Sequence, residues 1–171
     1  MVGHMEILLE AIPLERKPVL ERLLQLYLYN MTGTEEARNE EANLNEEGLF
    51  EHRWIDSYWK EPGRHPFFIR IDGHLAGFVL VNRHTQVISP GDGWSIAEFF
   101  VIRNYQRRGI GRRVAFRTFD QSPGKWEVRW LRNNAEANAF WPKIIGEYIS
   151  GNFQIHTGAS GPIATFEHTR S

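Results

Sequence analysis

FFVIRNYQRRGIGRRVAF, residues Phe99 to Phe116, passes from an apolar run through a short polar turn and a Gly-x-Gly into a helical pattern. The apolar run reaches back to Trp94 (WSIAEFFVI, Trp94–Ile102), which reads as a central strand covered on both faces. Gly109 to Phe119 reads as a helix that Pro123-Gly124 stops. The stretch carries Arg103, Arg107, Arg108, Arg112, Arg113 and Arg117, and no acid falls between Phe99 and Phe119. Glycine lets backbone approach a ligand closely. The first N–H groups of a helix lack intrahelical partners and sit at its positive end. A strand, a glycine turn and a helix start in that order therefore suit a phosphate or pyrophosphate, and arginine adds charge and bidentate geometry. A solvated surface helix after a tight turn is the plainer alternative. The preceding strand and the one-sign charge block weigh against it.

Two familiar phosphate motifs do not fit. A P-loop needs Gly-Lys-Ser or Gly-Lys-Thr, and the one Gly-Lys, Gly124-Lys125, is followed by Trp126. A dinucleotide fingerprint needs a third small residue where Val114 stands, within repeated strand–helix–strand units that the chain lacks.

Outward from this segment, Glu6–Ile12 reads as a strand ended by Pro13. Leu20, Leu23, Leu24, Tyr27 and Leu28 recur at helical spacing, with Asn30 and Gly33 as stop signals. A second helical patch is expected over Leu49–Trp59, ended by Pro62-Gly63. Pro66–Ile71 and Leu75–Val81 flank Asp72-Gly73 as a hairpin. Trp126–Leu131 reads as a strand, Ala135–Ile145 as a helix, and Phe153–His156 with Ile163–His168 as a closing hairpin. The order β-α-α-β-β-β-α-β-α-β-β implies one mixed sheet flanked by helices, an α+β fold.

The 171 residues fit one domain. It is read over residues 5–171, with Met1-Val2-Gly3-His4 taken as a cloning scar. Lys+Arg 20 against Asp+Glu 21 argues against a nucleic-acid binder. The absence of cysteine excludes disulfides, zinc–thiolate sites and a cysteine nucleophile. Apolar runs such as Leu75–Val81 fall far short of the roughly 18 residues a spanning helix needs, so no membrane partner and a cytoplasmic location are expected. His52, His65, His74 and His84 share no metal-ligand spacing, and no metal is expected. The high aromatic content, with 6 Trp, favours a groove or an interface, which leaves a homodimer open.

The chain resembles the GNAT family of acetyl-CoA-dependent N-acetyltransferases. Gln106, Arg107, Arg108, Gly109, Ile110 and Gly111 fit that family's Gln/Arg-x-x-Gly-x-Gly/Ala pyrophosphate loop in its expected strand–helix context. Asn134, Ala137, Phe140 and Trp141 match its later Asn-x-x-Ala-x-x-Phe/Leu-Tyr pattern, with tryptophan in the tyrosine position. The resemblance implies a mostly antiparallel α/β/α sheet, splayed open between the strand at Trp94–Ile102 and that at Trp126–Leu131. Acetyl-CoA would lie in the gap. Backbone groups of Phe99, Phe100 and Val101 would bond its pantetheine, amides of Arg107 to Arg112 its pyrophosphate, and Asn134 the opposite wall. Transfer to an amine acceptor, small molecule or peptide, would be direct, in a ternary complex.

Glu98 is the leading catalytic candidate, a lone carboxylate in an apolar strand, where an unpaired charge is unfavourable unless it has a role. It would take the acceptor's proton or pair with a nearby arginine. Trp141 cannot donate a proton as a tyrosine would; Tyr148 is the substitute candidate, and Trp141 is expected to pack on pantetheine. Trp141 also supports a competing reading, a catalytically inactive acetyl-CoA-binding regulatory or sensor domain. His65 and Trp59 are placed near the acceptor entrance. The acidic run Glu35–Glu47 is read as a solvated segment, or as a lip attracting a cationic acceptor.

Overall fold

The computed structural model describes residues 3–33 and 43–169. Alternating and continuous apolar runs form strands β1 (Ile7–Ala11), β2 (His65–Ile71), β3 (His74–Asn82), β4 (Gly93–Val101), β5 (Gly124–Arg129), β6 (Gln154–Thr157) and β7 (Pro162–His168). Helices are α1 (Lys17–Met31), α2 (Ile110–Asp120) and α3 (Ala135–Ile149). The spatial order is β1-β2-β3-β4-β5-β7-β6. Every neighbouring pair is antiparallel except β4 with β5. That one parallel pair follows from α2, which carries the chain back to the start of the sheet as a crossover must.

The Asp72-Gly73 signal makes a two-residue turn between the paired Ile71 and His74. Both turn residues have positive φ, 49° and 80°, the geometry that matches strand twist. The helical patch at Leu49–Trp59 departs from expectation. It holds only a short 3-10 helix, Ile55–Trp59. Side chains take the backbone groups that a helix would have used: Asn45 Oδ1 accepts the N–H of Glu47 and Leu49, while Gln25 bonds both N–H and C=O of Phe50.

The two faces of the sheet build separate cores. α1 and the 3-10 helix cover Phe68, Phe78, Leu80 and Phe100 with Leu20, Leu24, Ile55 and Tyr58. α2 and α3 cover Ile69, Val79, Ile96, Trp126 and Val128 with Val114, Phe119, Trp141 and Ile145. The β3–β4 register shifts between Leu80 opposite Glu98 and Val81 opposite Ile96, so Ala97 is an extra residue. Such a bulge bends the strand and re-aims its side chains. It puts Glu98 on the α1 face with Phe100, while Phe99 and Val101 pack towards α2 and α3.

The bend coincides with a parting of strands. β4 pairs with β5 only from Gly93 to Ile96, against Lys125 to Val128. On its other edge β5 pairs with β7 along its whole length. Beyond Ile96 the sheet therefore opens into a cleft. At the paired end, the fully buried Glu127 carboxylate accepts the N–H groups of Gln86, Val87 and Ile88 at 2.8, 2.9 and 3.2 Å. This fastens the β3–β4 loop across the join.

Candidate functional site

The open edge of β4 is one wall of the cleft. In an antiparallel ladder, successive residues turn their backbone groups to opposite edges. Ile102 N donates to Ala76 O at 2.9 Å, so Phe100 and Ile102 face β3, and Phe99 and Val101 face the gap. Of the three backbone candidates, Phe100 is thus committed to β3 and only Phe99 and Val101 present groups to the cleft. The Val101 carbonyl already accepts Gln106 Nε2 at 2.7 Å. Gln106 therefore shapes the turn after β4 instead of reaching out of it.

That turn feeds α2. Arg107 and Gly109 both have left-handed backbones, φ 63° and 69°, and Gly109 is the N-cap of α2. Consecutive amides in such a turn form a concavity for an anion, continued by the free N–H groups of Ile110, Gly111 and Arg112 in the first helical turn. The arginines divide by task. Arg103 bonds Asn30, Arg112 pairs with Glu147 at 2.6 Å, and Arg113 bonds the Met5 carbonyl. Arg107 and Arg108 are exposed beside the turn and make no ion pair among the described residues. They supply its positive charge.

The opposite wall comes from α3. Asn134 is its N-cap and accepts Ala137 N at 3.0 Å. Phe140 and Trp141 reach across to Phe99, with ring centroids 5.9 and 5.1 Å apart. A Cβ on Gly111 would meet the Phe140 ring at 3.1 Å, so this glycine lets α3 close on α2. Trp141 is 6% exposed and packs as an apolar wall.

Tyr148 does not join this group. Its hydroxyl donates to Asp120 Oδ1 at 2.8 Å, and its ring packs among Phe116, Phe119, Phe166 and His168. It lies near the far end of α3, about 21 Å along the helix from Asn134 at 1.5 Å per residue. The structure thus places Tyr148 in a packing role, with its hydroxyl engaged by Asp120 and away from the Asn134 end of the cleft wall. Trp59 is likewise structural, its Nε1 donating to Ile12 O at 2.9 Å. His65 sits with Phe67 and Trp94 at the paired end of β4, beside a shallow cavity also lined by Val81, Gln121 and Trp126. Neither reaches the parted end. Glu35, Glu36, Glu40 and Glu41 of the acidic run lie outside the described residues.

Glu98 is where the structure brings together groups that sequence reasoning had kept apart. Its Oε2 accepts the Tyr27 hydroxyl from α1, and its Oε1 lies 3.2 Å from His52 Nε2. The side chain keeps 23% of its surface exposed. Burial, followed by the Glu98 charge, pushes the Tyr27 phenol well above its usual range. Burial also raises Tyr58 to about 12, with the Glu98 charge adding to it and an Asn82 hydrogen bond opposing it. These phenols therefore stay protonated, and Tyr27 is a permanent donor to the carboxylate. Tyr27 was legible only as part of the apolar stripe of α1. Nothing in the spacing of His52 signals its link to a residue 46 positions away.

Among the described residues no group of three or more His, Cys, Asp or Glu is placed to hold a metal, and no helix is long and apolar enough to cross a membrane. The family model described as Acetyltransferase (GNAT) family matches residues 26–146. A search of curated proteins finds no sequence match. Solved structures share the fold at low identity. The PaiA N-acetyltransferase of Thermoplasma acidophilum, solved with coenzyme A, is 15% identical, with 96% of this chain and 99% of that one covered and a TM-score of 0.58. The ribosomal-protein-S18-alanine N-acetyltransferase of Escherichia coli is 14% identical, with 97% and 96% covered and a TM-score of 0.59. The aminoglycoside acetyltransferase AAC(6')-Ib, solved with coenzyme A and kanamycin, is 12% identical, with 95% of each chain covered and a TM-score of 0.63.

Proposed function

The chain belongs to the GNAT acetyltransferase family, whose enzymes use acetyl-CoA, and from that premise we propose that it transfers the acetyl group directly to an amine, carried by a small molecule or a peptide. The observation that supports this best is the coincidence at one place of three features: the parting of β4 from β5 after Ile96, the left-handed turn that opens α2, and Glu98 just past the bulge. The parted edge offers Phe99 and Val101 to an extended amide-containing arm such as pantetheine. The turn at Arg107–Arg112 offers backbone N–H groups and the two exposed arginines Arg107 and Arg108 to a pyrophosphate. Asn134 and the Phe140–Trp141 wall close the other side.

In the reaction read here, the acceptor enters as an ammonium and gives one proton to the Glu98 carboxylate. The freed nitrogen lone pair forms a bond to the thioester carbonyl carbon. The carbon–sulfur bond breaks, the nitrogen gives up its second proton to water, and the departing CoA thiolate takes one proton from the same solvent, so that only the proton on Glu98 remains to be released to solvent after product leaves. Neither Trp141 nor Tyr148 supplies the thiolate's proton: the first has no acidic group, and the second is bonded to Asp120. No covalent enzyme intermediate is needed.

The test is CoA release with spermidine, kanamycin and a peptide with an N-terminal alanine as acceptors, at varied concentrations of both substrates. Intersecting double-reciprocal lines are expected; parallel lines would indicate an acetyl-enzyme. Glu98→Gln should lose about 10²–10⁴-fold in turnover while acetyl-CoA affinity holds. A variant with wild-type kinetics would remove Glu98 from the chemistry.

A further inference from the structure

Each Glu98 oxygen meets a different donor from a different element, Tyr27 on α1 and His52 in the segment before the 3-10 helix. We propose that Tyr27 and His52 are positioning residues for acceptor deprotonation, each holding one oxygen of Glu98, with His52 acting as a fixed Nε2–H donor and not as a relay. The proposal rests on the acetyl-transfer reading above.

The tautomer follows from the surroundings of His52. A neutral imidazole has one N–H and one lone pair. His52 Nδ1 is buried and has no hydrogen-bond partner among the described residues, and Nε2 faces the carboxylate at 3.2 Å. With the proton on Nδ1, a buried N–H would go unsatisfied and a lone pair would face an anion. With the proton on Nε2, the N–H meets Glu98 and only a lone pair goes unused, the milder of the two defects. The same burial excludes a relay. To pass on a proton taken from Glu98, His52 would have to release one from Nδ1, which has no hydrogen-bond acceptor among the described residues.

Tyr27 anchors the second oxygen. Its ring is wedged against Phe78 and Phe100, with centroids 5.6 and 5.8 Å away, so the donor is fixed by packing. Among the described residues Tyr58 also faces the carboxylate, and it hydrogen-bonds Asn82. Held on both sides, the carboxylate has lost the rotational freedom of an exposed glutamate. Each oxygen keeps a further lone pair that can accept from a substrate N–H, and the side chain retains 23% of its surface exposed. Fixing a proton acceptor in this way matters because a misplacement of about 1 Å can cost about 10²-fold in rate.

The experiment compares His52→Asn with His52→Gln, and adds Tyr27→Phe. Glutamine carries its amide nitrogen about where Nε2 lies; asparagine is too short to reach Glu98. Turnover is read as CoA release with spermidine, kanamycin and the alanine peptide, together with melting temperature and acetyl-CoA affinity. His52→Asn should lose about 10²-fold in kcat with acetyl-CoA affinity unchanged, and His52→Gln should recover most of that loss. Tyr27→Phe should likewise lower kcat and spare cofactor affinity. Nitrogen-15 NMR of the wild type should show His52 as the Nε2–H tautomer, which keeps the proposal testable should a variant fail to fold. An Nδ1–H tautomer, or equal kcat in the asparagine and glutamine variants and the wild type, overturns the positioning role alone. A wild type that binds acetyl-CoA yet acetylates none of the three acceptors overturns the acetyl-transfer reading and this role with it.

Discussion

Gly109→Ala is the substitution that separates backbone shape from side-chain space in the anion-binding turn. A Cβ at Gly109 would meet nothing within 4 Å, yet the residue has φ +69°. Any penalty is therefore conformational, about 1–2 kcal/mol for an L-residue held in the left-handed region. We predict that this amount is divided between two observables. If the turn keeps its shape, the whole penalty appears as lost stability, a fall of about 2–8 °C in Tm for a chain of this size. If the turn relaxes instead, Tm is spared. The amides of Ile110 to Arg112 then lose their common aim, and acetyl-CoA binding weakens by about 5- to 30-fold, since 1.4 kcal/mol is a factor of ten. Calorimetric titration with acetyl-CoA and a thermal melt on the same preparation give both quantities. Their sum in free energy should fall in the 1–2 kcal/mol range. Gly111→Ala is the control: its backbone is ordinary, but its Cβ would press on the Phe140 ring at 3.1 Å, so its effect should follow the cleft wall and not the turn. A Gly109→Ala protein with unchanged Tm and unchanged affinity would refute the argument, because the strain would then have nowhere to appear.

Three further outcomes are expected. Tyr148→Phe should lose about 0.5–1.5 kcal/mol of stability with its hydrogen bond to Asp120, and leave kcat within twofold; a collapse of kcat in a folded variant would return Tyr148 to the chemistry. Glu127→Ala removes the fully buried carboxylate that three partly buried backbone N–H groups bond, so chemical denaturation should show a loss of about 1–3 kcal/mol, the cost of donors left unsatisfied, and a loss under about 0.5 kcal/mol would contradict that. The Arg70 hydrogen bond holds the Glu10 carboxyl below its usual range, so its contribution is present above the unfolded value and is lost as pH falls through the folded one. The pair is partly exposed, which limits it to about 0.5 kcal/mol; Glu10→Gln should remove that increment at pH 7 and match the wild type once acid has protonated Glu10, and an equal difference at both pH values would exclude the pair as its source.

How far the sequence carried depends on how local each signal was. The turn after β4 and the Asp72-Gly73 hairpin lie in short contiguous stretches, where glycine placement and apolar period determine the backbone directly. The family resemblance, drawn from Gln106–Gly111 and Asn134–Trp141, supplied the parted sheet, and the observed β4–β5 pairing agrees with it. The failures came where distant side chains compete with the backbone. Leu49–Trp59 has apolar residues at helical spacing, but Asn45 takes the Leu49 N–H and Gln25 takes both the N–H and C=O of Phe50. The alternation that commits Phe100 to β3 depends on strand pairing, which no single strand reveals. Tyr148 looked near the cleft because it shares a helix with Trp141; seven residues of rise take it to the other end of the layer. Tyr27 and His52 carried no signal, since their meeting point at Glu98 exists only after the bulge at Ala97 has turned the carboxylate towards α1.

The single-sided pairing of β4 past Ile96 has a consequence for isotope exchange. The amides of Phe100 and Ile102, locked to β3, should exchange with solvent deuterium only when the sheet itself opens. The amides of Phe99 and Val101, one residue away from each, point into the gap and should exchange orders of magnitude faster in the free protein. A molecule lying along that edge as a further strand would slow the fast pair and leave the slow pair as it was. Four consecutive amides thus form a built-in comb whose alternate teeth report occupancy of the cleft, residue by residue, with no label placed in the protein and none on the ligand.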